Sequence, residues 1–236
     1  MMLAGCDSLS RSEWFPKVLS AAEELNRSAH RLLGGRRSMA QEFTQADLSP
    51  DFRSNGTADP DSVQYQALAD NGFADYRLQV DGLVDKPASF SLTELRALPS
   101  RTQITRHDCV EGWSAIGKWK GARLASLLEV VGVKPQARYA VFYCADPMEA
   151  NGTGLYYESI DMDDAHHVQT ILAYDLNDHA LPVKNGAPIR LRVERQLGYK
   201  HAKYVMRIDL VESFAKIAGG MGGYWEDQGY EWYAGI

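Results

Sequence analysis

The run Arg106-His107-Asp108-Cys109-Val110-Glu111-Gly112-Trp113-Ser114 gathers a guanidinium, an imidazole, two carboxylates and a thiol around one position. A strand ending near Ile104-Thr105 is expected to deliver it. Positive charge from Arg106 and His107 would favour the Cys109 thiolate, the form needed by both a nucleophile and a metal ligand, while Asp108 and Glu111 oppose it. A cysteine hydrolase with His107 or His201 as base is one reading. Against it, Val110 and Glu111 follow the cysteine, where a nucleophile turn calls for small residues. An inert buried cysteine in a polar turn is the bland alternative.

Other chemistry-bearing residues are scattered. His166-His167 follows the acidic stretch Asp161 to Asp164 and reads as a solvated helix end, because adjacent helical residues do not face one another. The tail from Gly222 to Tyr233 is rich in glycine and aromatics. It serves either as a pocket wall or as a core cover. The stretch Ser49 to Asp61, with Pro50, Asn55, Gly56 and Pro60, has loop chemistry, and such loops often line sites.

The elements that must position these residues can be read in outline. Tyr76, Leu78 and Val80 alternate into Asp81-Gly82, which predicts a strand ending in a tight turn. Ser91 and Glu94 form a capping box for a short helix that Pro99 stops. Leu124, Leu127, Leu128 and Val131 predict a second helix closed by Gly132. Strands are expected at Arg138–Tyr143, Thr170–Tyr174, Ile189–Val193 and Tyr204–Val211. Val18, Leu19, Ala22, Leu25, Ala29 and Leu32 predict an N-terminal amphipathic helix from Lys17 to Leu33. Helices and strands mix without a βαβ rhythm, so the class is α+β. Residues 1–45 are assigned to an N-terminal segment and 46–236 to one catalytic domain.

Composition narrows the function. A chain of 236 residues with net charge −6 lacks the basic footprint of a nucleic-acid binder. It carries no apolar run of bilayer length. Three cysteines, Cys6, Cys109 and Cys144, match no zinc spacing and no disulfide framework. Leu3-Ala4-Gly5-Cys6 resembles the end of a lipoprotein export signal, which predicts a periplasmic protein lipid-anchored through Cys6.

Cys109-Val110-Glu111-Gly112-Trp113-Ser114 resembles the Cys-Val-Glu-Ala-Trp-Ser segment of the methionine sulfoxide reductase branch of the sulfite oxidase family. The run from Leu181 to Leu191 resembles that family's Leu-Pro-x-x-Asn-Gly-Ala-Pro-Val-Arg-Leu. Gly198-Tyr199-Lys200-His201-Ala202-Lys203 stands where the family has Gly-Phe-Lys-Gly-x-Lys. The resemblance implies a mixed-sheet molybdopterin-binding domain without a dimerisation domain, and a molybdenum-molybdopterin cofactor. It makes Cys109 the metal ligand, a soft thiolate completing the sulfur set. Asn55, Cys144, Asn185, Arg190, His201, Ala202 and Lys203 become cofactor-binding positions, with Arg190 offering a forked pair to the cofactor's phosphate. Cys144 stands where the family has a threonine, and a thiol donates poorly. His107 and Glu111 are the remaining catalytic candidates.

The implied reaction is oxygen-atom transfer, with reduction of a sulfoxide or N-oxide favoured. The alternatives are oxidation of a small anion such as sulfite, for which Arg106, Lys118 and Arg195 would supply a cationic pocket, and a non-catalytic pterin-binding role. A monomer acting on a small molecule, with a membrane haem protein as electron partner, completes the expectation.

Overall fold

The computed structural model describes residues 14, 15, 18, 21, 22, 25, 26, 28, 29, 38–149, 152 and 154–236. Two compact units divide the chain, residues 1–38 with Gly235 and residues 39–234 with Ile236. In the first, Phe15, Val18, Ala22, Leu25 and Ala29 are helical. Cys6 with its preceding residues, Leu19 and Leu32 lie outside the described residues. The second unit begins earlier than position 46, because the backbone of Ala40 exchanges hydrogen bonds with the Gln169 side chain and Glu42 bridges to Thr105.

Two five-stranded sheets build the second unit. The first is ordered β2 (Ala88–Ser91), β1 (Arg77–Gly82), β10 (Val205–Val211), β5 (Tyr139–Pro147) and β6 (Leu155–Asp161). Only β1 and β10 run parallel in it. The second is ordered β3 (Ser100–Cys109), β4 (Trp113–Arg123), β7 (Ile171–Leu176) and β8 (His179–Ala180), with β9 (Arg190–Arg192) also paired to β7. The helices are short: α1 (Val63–Asp70), α2 (Leu92–Ala97), α3 (Leu124–Val131), α4 (Met162–Ala165) and α5 (Tyr224–Asp227). Strands dominate, and the class is α+β.

Local chemistry explains most elements. The Ser91–Glu94 capping box opens α2, and Gly132, at φ +69°, closes α3. Asp81-Gly82 ends β1 in a tight turn as expected, with the Val84 N–H donating to the Gly82 carbonyl at 2.8 Å before the chain returns as the antiparallel β2. Gly82 ends β1 at φ +85°, and a Cβ there would meet the Leu210 carbonyl oxygen at 2.3 Å, so glycine serves close strand approach. His167 is buried rather than solvated, while His166 stays exposed at the end of α4. The main core joins Leu78, Val80, Leu124, Leu127, Phe142, Ile160, Ile208 and Leu210. A smaller cluster around Trp119, Phe52 and Ile171 underlies the second sheet.

Candidate active site around Cys109

Strand β3 does not stop at Thr105. It continues to Cys109 and returns as β4 after a tight turn in which Gly112, at φ +83°, donates its N–H to the Cys109 carbonyl at 3.0 Å. Side chains alternate along such a strand. Gln103, Thr105 and His107 therefore point inward, while Arg106 is exposed and ion-paired to Asp108 at 2.9 Å. Cys109, Val110 and Glu111 are carried at the hairpin tip.

This alternation overturns the expected electrostatics of the thiol. Arg106 is engaged with Asp108. His107 is held neutral, its pKa driven well below the ordinary value by burial and then by Arg192, Arg190 and Lys203. Burial pushes the Cys109 thiol up; the Glu111 backbone N–H opposes this, the Glu111 carboxylate adds to it, and Arg53 offsets it in part. Cys109 is free and half-buried, as suits a residue that yields its proton only to a strong electrophile or metal.

A cleft of about 160 Å³ opens beside the hairpin tip. Of the positions singled out from sequence, Cys109, Glu111, Asn55, His201 and Lys203 line it. The loop after Leu48 reaches the cleft because Ser49 exchanges hydrogen bonds with the Ile116 backbone and Phe52 buries its ring 4.9 Å from that of Trp119. Asn55, Gly56 and Thr57 follow as lining residues. Lys203 donates to the carbonyls of Thr57 and Lys184, the latter at 3.0 Å, and to Ser54 Oγ at 3.4 Å. Burial and then Arg190 bring its ammonium down to about 7. Opposite, burial pushes the Asp146 carboxyl up to about 6.

The other expected contacts lie behind this lining. Arg190 is fully buried, and its two terminal nitrogens donate to the carbonyls of Asn185 and His201 at 3.1 Å each. The expected fork is thus engaged with two backbone carbonyls, one of them that of the lining residue His201. Burial and the adjacent Arg192 lower its pKa to about 9. Asn185 and Ala202 are buried beside it. Cys144 sits within the main core, paired in register with Val205, its thiol pushed well up by burial. His107 stacks edge-on to His201, with ring centroids 5.1 Å apart.

Several lining residues carried no signal of their own in the sequence. Asp146 lies beyond the strand expected at Arg138–Tyr143, and Met148 and Tyr156 fall in a stretch that carries no motif. Tyr199 lay inside a motif read for its cations. Trp225 and Tyr230, from the aromatic tail, also line the cleft, while Trp225 packs against the core as well. The two rings lie 5.4 Å apart, and Tyr230 meets Tyr199 edge-on at 5.3 Å. Wall and cover are therefore one structure. The cations expected for an anion pocket do not converge here: Lys118 pairs with Asp178, Arg195 with Asp164, and neither lines the cleft.

Five buried polar atoms in and just beneath the cleft have no hydrogen-bond partner: Asn55 Oδ1, Asp146 Oδ1, His201 Nδ1, His107 Nε2 and Arg190 Nε. Nearly all buried polar groups in folded proteins are paired. A concentration of orphaned donors and acceptors next to a half-buried thiol fits a guest rich in heteroatoms with a thiophilic metal, and so fits molybdopterin.

Comparison with known proteins agrees. Residues 65–216 match the family model of the oxidoreductase molybdopterin binding domain. The chain is 37% identical, over 99% of its length and 82% of the relative's, to an Azospira oryzae protein named as protein-methionine-sulfoxide reductase subunit YedZ1. It is 36% identical, over 61% of its length and 47% of the relative's, to the protein-methionine-sulfoxide reductase catalytic subunit MsrP of Xanthomonas axonopodis pv. citri. The solved structure of the sulfane dehydrogenase SoxCD from Paracoccus pantotrophus aligns with a TM-score of 0.52 and 25% identity, over 59% of this chain and 39% of that one. The family match contains Cys109, Asp146, His201 and Lys203, whereas Asn55, Trp225 and Tyr230 lie outside it.

Proposed function

The chain belongs to the oxidoreductase molybdopterin binding domain family and is a molybdopterin-dependent enzyme of the sulfite oxidase type, and from that premise we propose that it reduces a sulfoxide carried on an apolar side chain such as that of oxidised methionine. The observation that carries this reading is the cleft mouth. Val110, Met148, Trp225 and Tyr230 supply apolar and aromatic surface there, Glu111 supplies a carboxylate, and Arg106, Lys118 and Arg195 are absent from the lining. A carboxylate among aromatics disfavours a sulfite-like dianion and tolerates a neutral, polarisable sulfoxide.

In this reading Cys109 Sγ is the ligand to molybdenum, and Asn55, Asp146, His201 and Lys203 hold the pterin portion, with Asn185, Arg190 and Ala202 shaping the backbone beneath. When bound, the cofactor would supply the oxygen-atom transfer chemistry and the two-electron redox change that the protein's own side chains lack. Balanced overall, a sulfoxide, two electrons and two protons give a thioether and water. The Glu111 backbone N–H stabilises the Cys109 thiolate. Glu111 itself accepts a hydrogen bond from Trp113 Nε1 at 2.8 Å, which fixes its carboxylate at the hairpin tip. Trp225 and Tyr230 exclude water and receive the apolar part of the substrate.

The electrons come, in this proposal, from a separate membrane haem protein, consistent with one relative being named a reductase subunit. A periplasmic setting with lipid attachment through Cys6 is the proposal drawn from Leu3-Ala4-Gly5-Cys6. The test is turnover in both directions by molybdenum-loaded protein with redox dyes. Reduction of methionine sulfoxide peptides is expected, and oxidation of sulfite without sulfoxide reduction would overturn the assignment.

A further inference from the structure

Behind the aromatic wall lies a charge cluster that the reaction as derived does not use. Lys200 Nζ donates to Glu158 Oε1 and to Glu226 Oε1, each at 2.5 Å, and all three side chains are fully buried. The second oxygen of each carboxylate, Glu158 Oε2 and Glu226 Oε2, has no partner. Burial raises the Glu158 carboxyl well above its usual range, against Lys200 and with Glu226. Burial also works against the Lys200 charge, but the two carboxylates outweigh it and raise its pKa. Such a cluster is a poor device for stability alone, since well-packed apolar residues commonly do as well. What it provides is a fixed geometry between three elements.

Those three elements each present a wall residue to the cleft. Glu226 follows Trp225 on α5, Lys200 follows Tyr199 in a 3₁₀ turn, and Glu158 lies two residues after Tyr156 on β6. Further polar stitches hold the same C-terminal segment to β6. Trp232 Nε1 donates to Ser159 Oγ at 2.9 Å, Ser159 Oγ donates to the Gly222 carbonyl, and Tyr157 donates to Asp227 Oδ2 at 2.5 Å. Tyr199 donates to the Glu231 carbonyl at 2.6 Å, beside Tyr230. Glu226 is tightly seated: a Cβ on Gly223 would lie 2.0 Å from its Oε2.

We propose that the Glu158–Lys200–Glu226 triad is a positioning device for substrate selection, holding Trp225 and Tyr230 at the cleft mouth so that their rings receive the apolar side chain bearing the sulfoxide. The substrate clause rests on the proposed function; the anchoring clause does not. None of the three lines the cleft. Their effect falls on substrate affinity and leaves the metal site alone.

The experiment uses the molybdenum-loaded enzyme and compares wild type with Glu226→Gln and with the charge-free triple variant Glu158→Gln/Lys200→Met/Glu226→Gln, which leaves no buried charge unpaired. For a methionine sulfoxide peptide, KM should rise on the order of tenfold with kcat nearly unchanged. Molybdenum content and the metal's electron-spin signature should match wild type. Unchanged KM in a fully loaded variant, or a fall in kcat that follows lost molybdenum, overturns substrate positioning. Hydrogen exchange gives a reading that needs no turnover: exchange should quicken across residues 219–233 and stay unchanged in β3 and β4. Unchanged exchange overturns the anchoring itself, whereas wild-type enzyme that reduces no sulfoxide overturns the proposed function instead.

Discussion

Arg192 Nη1 lies 3.0 Å from His107 Nδ1, and because a guanidinium only donates, the imidazole must carry its single proton on Nε2. The same guanidinium donates to both carboxylate oxygens of Glu194, at 2.8 and 2.6 Å, and packs 4.5 Å from the Trp119 ring centre. One buried residue thus sets the orientation of the ring two positions from Cys109.

Arg192→Leu strands a fully buried Glu194 carboxylate. Breaking one side of a buried pair costs about 3–5 kcal/mol. Urea denaturation of the variant should show a loss of that order, and a loss below about 1 kcal/mol would be incompatible with the network described.

Cys109→Ser should leave the fold intact, since the residue sits half-buried at a hairpin tip and outside both core clusters. Pterin should remain bound while turnover disappears. A variant with full activity and a wild-type melting curve would remove Cys109 from the metal.

Arg190→Ala frees the carbonyls of Asn185 and His201 together. Molybdenum per protein chain, measured by metal analysis, should fall several-fold even when expression is matched. Equal occupancy would show that these backbone positions hold without the guanidinium.

In the cofactor-free protein Asp146 and Lys203 together should contribute least to stability between about pH 6 and 7, while His107 and His201, held neutral by burial, remove stability on the acid side. Burial raises Asp146 to about 6, so folding favours its neutral acid; that advantage is present below pH 4 and is lost as pH rises through 6. Burial lowers Lys203 to about 7, so folding disfavours its ammonium; stability returns as pH rises from 7 towards 10.5. Chemical denaturation of wild type and Asp146→Asn at a series of pH values isolates the first contribution: the stability of wild type relative to the variant should fall as pH rises from 4 through 6, and a difference independent of pH would contradict the burial argument.

The helices at Leu92 and Leu124 and the strand ending at Val211 were legible because caps and alternation are local signals. Strand β4 was not: its Ile116-Gly117-Lys118-Trp119 stretch alternates in burial, but two glycines and two lysines mask the pattern. The Cys109 motif pointed to the hairpin tip that lines the cleft, yet the charges beside it in sequence misled, because a strand sends neighbours to opposite faces. Asp146, Tyr156 and Tyr199 acquire significance only from contacts that no local pattern encodes. The tail presented its aromatics plainly; their destination depended on buried charges far away in the chain.

Lys203 holds the Thr57 carbonyl from 146 positions away in the sequence and Ser54 from 149 away. Linking such distant segments pays its loop-closure entropy before any local reward arrives, which makes contacts of this kind late arrivals in folding. The floor of the cleft therefore has no existence until the segment carrying Lys203 has met the one carrying Thr57.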